Sequence, residues 1–197
     1  MYAKAGEIDL SDALWGELAA DSNVIPGLRT LNWRLLTVKN SKVWKTESER
    51  LVRARAIWNL LRYYDFTPDK VSYNTYISCF NKADDLEIAK EGDAVFHEQL
   101  ASRGDRERCV SLISLNAVLK MWRNFAISTQ NVSCREEALR SVLTILKEIY
   151  NLCSSGELDI QPTSVTVALV ASLLDANNIE DAKRVGVLRL LDRTRNP

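Results

Sequence analysis

Apolar residues recur at every third or fourth position along most of the chain, which is the spacing of amphipathic helices. Residues 51–64 show this spacing, and residues 138–150 repeat it. In the first segment the apolar positions are Leu51, Ala54, Ile57, Trp58 and Leu61. No alternating run flanked by hairpin turns stands out. The pattern therefore predicts an all-α protein.

Proline and clustered small polar residues interrupt this periodicity at five places. The breaks fall at Pro26, Pro68, Gly104, residues 154–156 and Pro162. They predict about nine helices joined by short connections.

A hydroxyl residue followed two positions later by asparagine repeats at a fixed offset of 42 residues. The three copies are Thr30 with Asn32, Ser72 with Asn74, and Ser114 with Asn116. In a fourth copy the hydroxyl remains and Ala168 replaces the asparagine. The offset is typical of helix pairs stacked into a solenoid, where each pair buries its apolar face against the next.

A second register supports the same repeat. Five alanines precede bulky residues and lie 43, 38, 44 and 44 residues apart, at Ala13, Ala56, Ala94, Ala138 and Ala182. We expect them at close helix contacts. The register predicts one domain over 1–197, with a partial repeat at 1–25 and repeats at about 26–67, 68–110, 111–161 and 162–197. We expect a chain that starts on a partial repeat to be a fragment of a longer protein.

The repeat at about 68–110 resembles a pentatricopeptide repeat (PPR). The likeness lies in residues 69–77 (DKVSYNTYI) and 81–89 (NKADDLEIA), and the other repeats match it with longer, irregular spacing. This resemblance implies a right-handed α-solenoid that binds single-stranded RNA, one base per repeat. It also implies a role in RNA processing, stability or translation in a mitochondrion or chloroplast.

The resemblance assigns base-reading pairs, each formed by an early-helix asparagine and the residue that opens the next repeat. They are Asn32 with Asp69, Asn74 with Ser111, and Asn116 with Thr163. By the family's code these pairs favour uracil, cytosine and a pyrimidine, in that order. An amide offers both a donor and an acceptor to a pyrimidine edge. Ala168 offers neither, so the last repeat is expected to read no base.

The resemblance also implies residues that stack on bases and residues that approach phosphates. The stacking positions hold Arg29, Val71, Ile113 and Val165, and the phosphate positions hold Lys4 and Lys82. Arg29 departs from the aliphatic pattern, although a guanidinium plane also stacks on bases. Each class has a simpler alternative: asparagine and hydroxyl residues cap helices, aliphatic residues form the core, and lysines are solvated.

Composition and charge leave two function classes open. The chain is 46% hydrophobic and 26% charged, which excludes wholesale disorder, and no apolar run is long enough for a membrane span. Its 26 basic and 26 acidic residues cancel, yet residues 27–63 carry a net charge of +7 interleaved with Trp33, Trp44 and Trp58. Such a segment suits RNA binding, because its cations can contact phosphates and its tryptophans can stack on bases. Overall neutrality favours the alternative, a protein–protein scaffold that has lost RNA binding.

Residues for catalysis are sparse. The chain has a single histidine, His97, which we expect to be a surface or packing residue. Its four cysteines form no CxxC pair and are expected to be buried thiols. We therefore predict no enzymatic activity, no metal, no cofactor and no small-molecule substrate.

Overall fold

The computed structural model of the protein describes residues 7–21, 26–102 and 110–177. These residues form eight α-helices and no β-strand. The prediction of an all-α protein is confirmed for the described part of the chain, and eight helices come close to the expected nine. The repeat segments at residues 2–6 and 181–183 lie outside the described residues.

The chain divides into two compact units, residues 1–79 and 80–197. Unit 1 contains four helices, α1 (Ile8–Ala20), α2 (Leu28–Asn40), α3 (Glu47–Tyr63) and α4 (Lys70–Cys79). Helix α2 packs mainly against α3 and α4, and α1 packs against α2. Because α2 and α4 open successive sequence repeats, the first helices of two repeats lie side by side in this unit.

Unit 2 contains four more helices, α5 (Leu86–Ala101), α6 (Leu112–Ser128), α7 (Val132–Ser154) and α8 (Ser164–Ala176). Helix α6 packs against α5, α7 and α8. Its contact with α8 again joins the first helices of successive repeats. The extra length of the 111–161 repeat lies in the 23-residue helix α7, since only three residues connect α6 to α7.

Side chains at the N-termini explain where the helices begin. Thr46 accepts a hydrogen bond from the Glu49 backbone N–H before α3, and Asp85 accepts one from Glu87 before α5. Asn131 does the same for α7. Such caps satisfy backbone donors that have no partner inside the helix. Polar residues placed in the sequence just before the apolar runs therefore set the starts of these helices.

The core of unit 1 is built around Trp58 of α3, which is 5% exposed. Its ring stacks on Tyr76 at a centroid distance of 4.3 Å and meets Tyr73 edge-on at 5.4 Å. Both tyrosines are on α4. Trp58 is therefore a core residue, as the apolar stripe of residues 51–64 predicts, and it is not available to stack on RNA bases.

The predicted alanine contacts are right at one described position and wrong at three. Ala138 is fully buried, but Ala13, Ala56 and Ala94 are exposed. The buried small residue of α3 is Ala54, two positions from the predicted one. Because consecutive helical residues are about 100° apart, a shift of two moves a residue to the opposite face. Ala182 lies outside the described residues.

Within unit 1, Asp12 joins helix α1 to α2 and α3. Its two carboxylate oxygens each accept a 2.7 Å hydrogen bond, one from Arg34 of α2 and one from Arg53 of α3. The Arg34 guanidinium also lies 4.3 Å from the centre of the Trp15 ring. Arg34 is only 9% exposed, and burial lowers the pKa of its guanidinium against the opposing effect of Asp12.

Replacing Asp12 with asparagine is expected to loosen α1. The buried Arg34 would lose its counter-charge, which costs about 1–2 kcal/mol for a partly exposed, charge-assisted pair. Hydrogen exchange in α1 and α2 should accelerate about 5- to 30-fold. The exposed Glu17 of the same helix provides the control E17Q. Equal exchange in the two variants would contradict a role for Asp12.

Candidate nucleic-acid interface

In unit 1 the first predicted base-reading pair is in direct contact. The Asn32 amide on α2 donates from Nδ2 to Asp69 Oδ1 at 3.1 Å. Asp69 precedes α4 and caps it, because the same oxygen accepts the Ser72 backbone N–H at 2.8 Å. Ser72 in turn donates its hydroxyl to Asn32 Oδ1 at 2.7 Å. Three residues predicted to face RNA or cap a helix thus form one network.

The network fixes the orientation of the Asn32 amide. A hydroxyl donor holds its oxygen and a carboxylate acceptor holds its nitrogen, so the two ends cannot exchange. Asn32 is 5% exposed and is one of the residues that line the groove described below. Within the described residues, Asp69 Oδ2 makes no hydrogen bond and is a further acceptor beside the amide.

Unit 2 repeats the contact between hydroxyl and asparagine at the third predicted pair, but among the described residues no hydrogen bond joins Asn116 to Thr163. Thr163 precedes α8 and forms a capping box with Thr166. The Thr166 hydroxyl donates to Asn116 Oδ1 on α6 at 2.8 Å, and Thr166 is fully buried. In the part of the chain that the structure describes, Asn116 Nδ2 makes no hydrogen bond and Asn116 is half-buried. Its amide therefore presents a free N–H donor.

The second predicted pair is divided between the units. Asn74 lies on α4 in unit 1 and is half-buried. Ser111 caps α6 in unit 2 through a capping box with Ser114. Ser114 thus occupies the place in its own cap that Ser72 and Thr166 occupy in theirs.

The aliphatic stacking positions are on the surface. Val71 is 54% exposed, Ile113 64% and Val165 56%. Each lies in the first turn of a first helix, beside the cap residue. The alternative that they belong to the hydrophobic core is therefore wrong. Ala168 is also exposed, on α8.

A groove of about 450 Å³ in unit 1 collects the predicted residues of the first base site. Its volume is within the range of roughly 300–1,000 Å³ that small-molecule sites occupy. The lining residues are Leu28, Arg29, Asn32, Trp33, Leu36, Asp69 and Val71. Both members of the first base-reading pair and the first two stacking residues thus share one concave surface.

The predicted phosphate residues are only partly described. Lys82 is exposed in the segment that precedes α5, and Lys4 lies outside the described residues. The position equivalent to Lys82 in the next repeat is Asn124. Its amide donates to the Asn81 backbone carbonyl at 2.6 Å, so it has a structural role inside unit 2.

Several cations of the basic segment 27–63 have structural partners within unit 1. Arg34 and Arg53 bind Asp12, and Arg50 contacts Glu47 and donates to the Cys79 carbonyl at 2.6 Å. Trp44 donates to the Val38 carbonyl. Part of the +7 charge is therefore neutralised by neighbouring groups, and a smaller cationic surface is open to phosphates than the sequence suggested.

His97 has two carboxylate neighbours in unit 2. Its Nδ1 lies 3.4 Å from Asp93 Oδ2 and its Nε2 lies 3.5 Å from Glu148 Oε2. Trp122 donates to Asp93 Oδ1 at 2.9 Å, and burial raises the pKa of Asp93. No group of three metal-binding side chains occurs among the described residues.

The described cysteines differ in burial. Cys79 is fully buried, and desolvation raises the pKa of its thiol to about 12. Cys134 and Cys153 are half-buried, so the expectation of buried thiols is met fully only at Cys79. Cys109 lies outside the described residues.

The comparisons with known proteins add no relative. No model of a known protein family matches the chain, and no curated protein matches it. None of the helices in the described residues is both long and apolar enough to cross a membrane. The PPR resemblance therefore depends on the sequence motifs given above.

Sequence reasoning identified the recurring hydroxyls but missed what they contact. Ser72 and Thr166 donate to asparagines 40 and 50 residues earlier, and their recurrence two positions before each asparagine position was the available signal. Trp33 was noted only as part of the basic segment. Its place beside Asn32 on the groove follows from the helical spacing of α2.

Proposed function

We propose that this chain is a single-stranded RNA-binding adaptor built as a PPR-like α-solenoid. Each first helix that carries the asparagine, namely α2, α4 and α6, would offer one base-reading site, so that successive repeats bind successive bases. Binding would cover a short RNA segment in a mitochondrion or chloroplast and affect its processing, stability or translation. The side-by-side packing of α2 with α4 and of α6 with α8 supports this repeat arrangement within each unit.

One observation carries the proposal. The same cluster occurs in both units, with an asparagine on one first helix, a hydroxyl at the start of the next and an exposed aliphatic residue beside it. A capping hydrogen bond needs only the residues at the start of its own helix. The recurring contact to the preceding first helix has no part in capping, and it orients the amides of Asn32 and Asn116.

The polar groups at the first site match uracil. Asn32 Nδ2 retains a second N–H that can donate to a base carbonyl, and Asp69 Oδ2 can accept from the base N3–H. A uracil edge carries these two groups next to each other, whereas cytosine has no N3–H. At the second described site the free Nδ2 of Asn116 suits a pyrimidine carbonyl.

Two observations favour a second candidate function, a protein–protein scaffold that has lost RNA binding. The chain has no net charge, and phosphate neutralisation supplies much of the affinity of nucleic-acid binders. In addition, Arg34, Arg50 and Arg53 are engaged inside unit 1. In this reading Asn32 serves only to join α2 to the cap of α4.

The triple variant N32A/N74A/N116A separates the two candidates. Each lost amide should cost about 1 kcal/mol of binding, so we expect affinity for pyrimidine-rich RNA to fall roughly 100-fold. The matched control is N59A/N151A, which removes exposed asparagines from the second helices α3 and α7. A scaffold would keep its protein partner in both variants. Unchanged RNA affinity in the folded triple variant would contradict base reading.

A further inference from the structure

One face of α2 carries an aromatic residue that the base-reading scheme does not use. Arg29, Asn32 and Trp33 lie three and four positions apart, so they share this face, and all three line the groove. Trp33 is 47% exposed. By contrast, Trp58 in the same unit is buried in the core.

Arg29 lies within cation–π distance of this aromatic ring. Its guanidinium carbon is 5.9 Å from the centre of the Trp33 ring. At exposed sites such a cation–π contact is weaker than the stacking of a base on an aromatic ring. A base that enters the groove can therefore take the place of the guanidinium on the ring, which leaves Arg29 free to reach a phosphate.

We propose that Trp33 stacks on the base whose edge meets Asn32 and Asp69, and that Arg29 binds the phosphate of that nucleotide. Val71, 54% exposed across the groove, contacts the other face of the base. The proposal rests on the RNA-binding function above and names the residues that hold the nucleotide. It moves Arg29 from stacking, the role that the PPR resemblance implies, to charge neutralisation.

Charge in the groove fits this division of roles. Asp69 is the one carboxylate among the lining residues, and it would repel a phosphate placed next to it. Arg29 is the one cation among them. An aromatic platform beside a cation is the combination that binds single strands. A surface that binds only protein partners would require neither an aromatic ring in this groove nor a cation placed to bind a phosphate beside the oriented amide.

The first test uses oligouridylate 12-mers and the full chain with substitutions at Trp33. The variant W33A should bind about 5- to 100-fold more weakly than the wild type, because one base loses its stacking partner. W33F, which retains an aromatic face, should keep most of the affinity. Tryptophan fluorescence should be quenched by RNA in the wild type, and W33F should lose that quenching while it still binds.

The second test uses the salt dependence of binding. The variant R29Q should lower the slope of log K against log salt by about 0.7, the value for one phosphate contact on a single strand. W33A should leave the slope unchanged. The matched controls are R62Q and Y63A at exposed residues near the end of α3, which should change neither quantity.

The results separate this inference from the function on which it rests. If wild-type protein binds no RNA at low salt, both are overturned. If the wild type binds and N32A weakens it while W33A binds equally well, only the role of Trp33 is overturned. A wild-type slope retained in R29Q would overturn the role of Arg29. Loss of affinity in W33A with rescue in W33F supports the inference.

Discussion

Replacing Trp122 with alanine is expected to lower the free energy of unfolding of unit 2 by about 3–5 kcal/mol. The ring is 1% exposed and meets Phe125 edge-on at a centroid distance of 6.0 Å. Its Nε1 also donates to Asp93, so the substitution leaves a half-buried carboxylate without that donor. Urea denaturation monitored by circular dichroism measures the loss. A change below about 1 kcal/mol would contradict this account of the core.

The variant W122F isolates the hydrogen bond, since it removes the N–H and keeps most of the ring. Burial raises the pKa of Asp93, and the Trp122 hydrogen bond opposes that rise. By opposing the rise in pKa, the N–H of Trp122 stabilises the ionised carboxylate of Asp93 more than the protonated one. The loss caused by W122F should therefore be largest at neutral pH and shrink as the pH falls through the native-state pKa of Asp93. His97 and Glu148 face the same carboxylate, and D93N should abolish the pH dependence of the W122F effect.

Replacing Gly92 with valine is expected to destabilise unit 2 by about 3 kcal/mol or more. A Cβ atom at this position on α5 would overlap Met121 Sδ and lie 2.9 Å from Phe80 Cγ. Gly92 therefore allows α5 to approach α6 closely, and a branched side chain would force the two helices apart. The shift in the urea midpoint relative to the wild type measures the cost.

Alanine substitutions at two glycines provide a control, because the stability change should have opposite signs at Gly16 and Gly92. A Cβ atom added at Gly16 on α1 would meet no other atom within 4 Å, so G16A should stabilise by up to about 1 kcal/mol through helix propensity. G92A carries the same propensity gain but should be net destabilising, because the overlap outweighs it. Stabilisation by both substitutions would contradict the close approach of α5 and α6.

The helical structure of the chain was predictable because it depends on the local pattern of apolar and polar residues. The apolar spacing identified the helices, and polar residues such as Thr46 and Asp85 marked their starts. The alanine register chose the wrong small residue in α3, because it followed the spacing between repeats rather than the apolar stripe of residues 51–64. That stripe places Ala54 with Leu51 and Ile57, and all three are buried in the structure.

In the candidate site, the positions of the asparagines were predictable, but the hydroxyl groups that bind their amides were not. Offsets of 42 residues located Asn32 and Asn116, but the hydroxyl partners depend on contacts between helices that the sequence does not specify. The loss of free charge at Arg34 likewise follows from Asp12, which lies on a different helix. Long-range pairing of this kind arises from tertiary packing rather than from local sequence.

The most direct test of the central claim is selection from a pool of short single-stranded RNAs by the purified chain at two salt concentrations. The account predicts enrichment of pyrimidine-rich sequences, with affinity that falls as the salt concentration rises. Absence of binding at low salt, by protein that circular dichroism shows to be helical, would contradict RNA binding by this chain and favour the protein–protein scaffold.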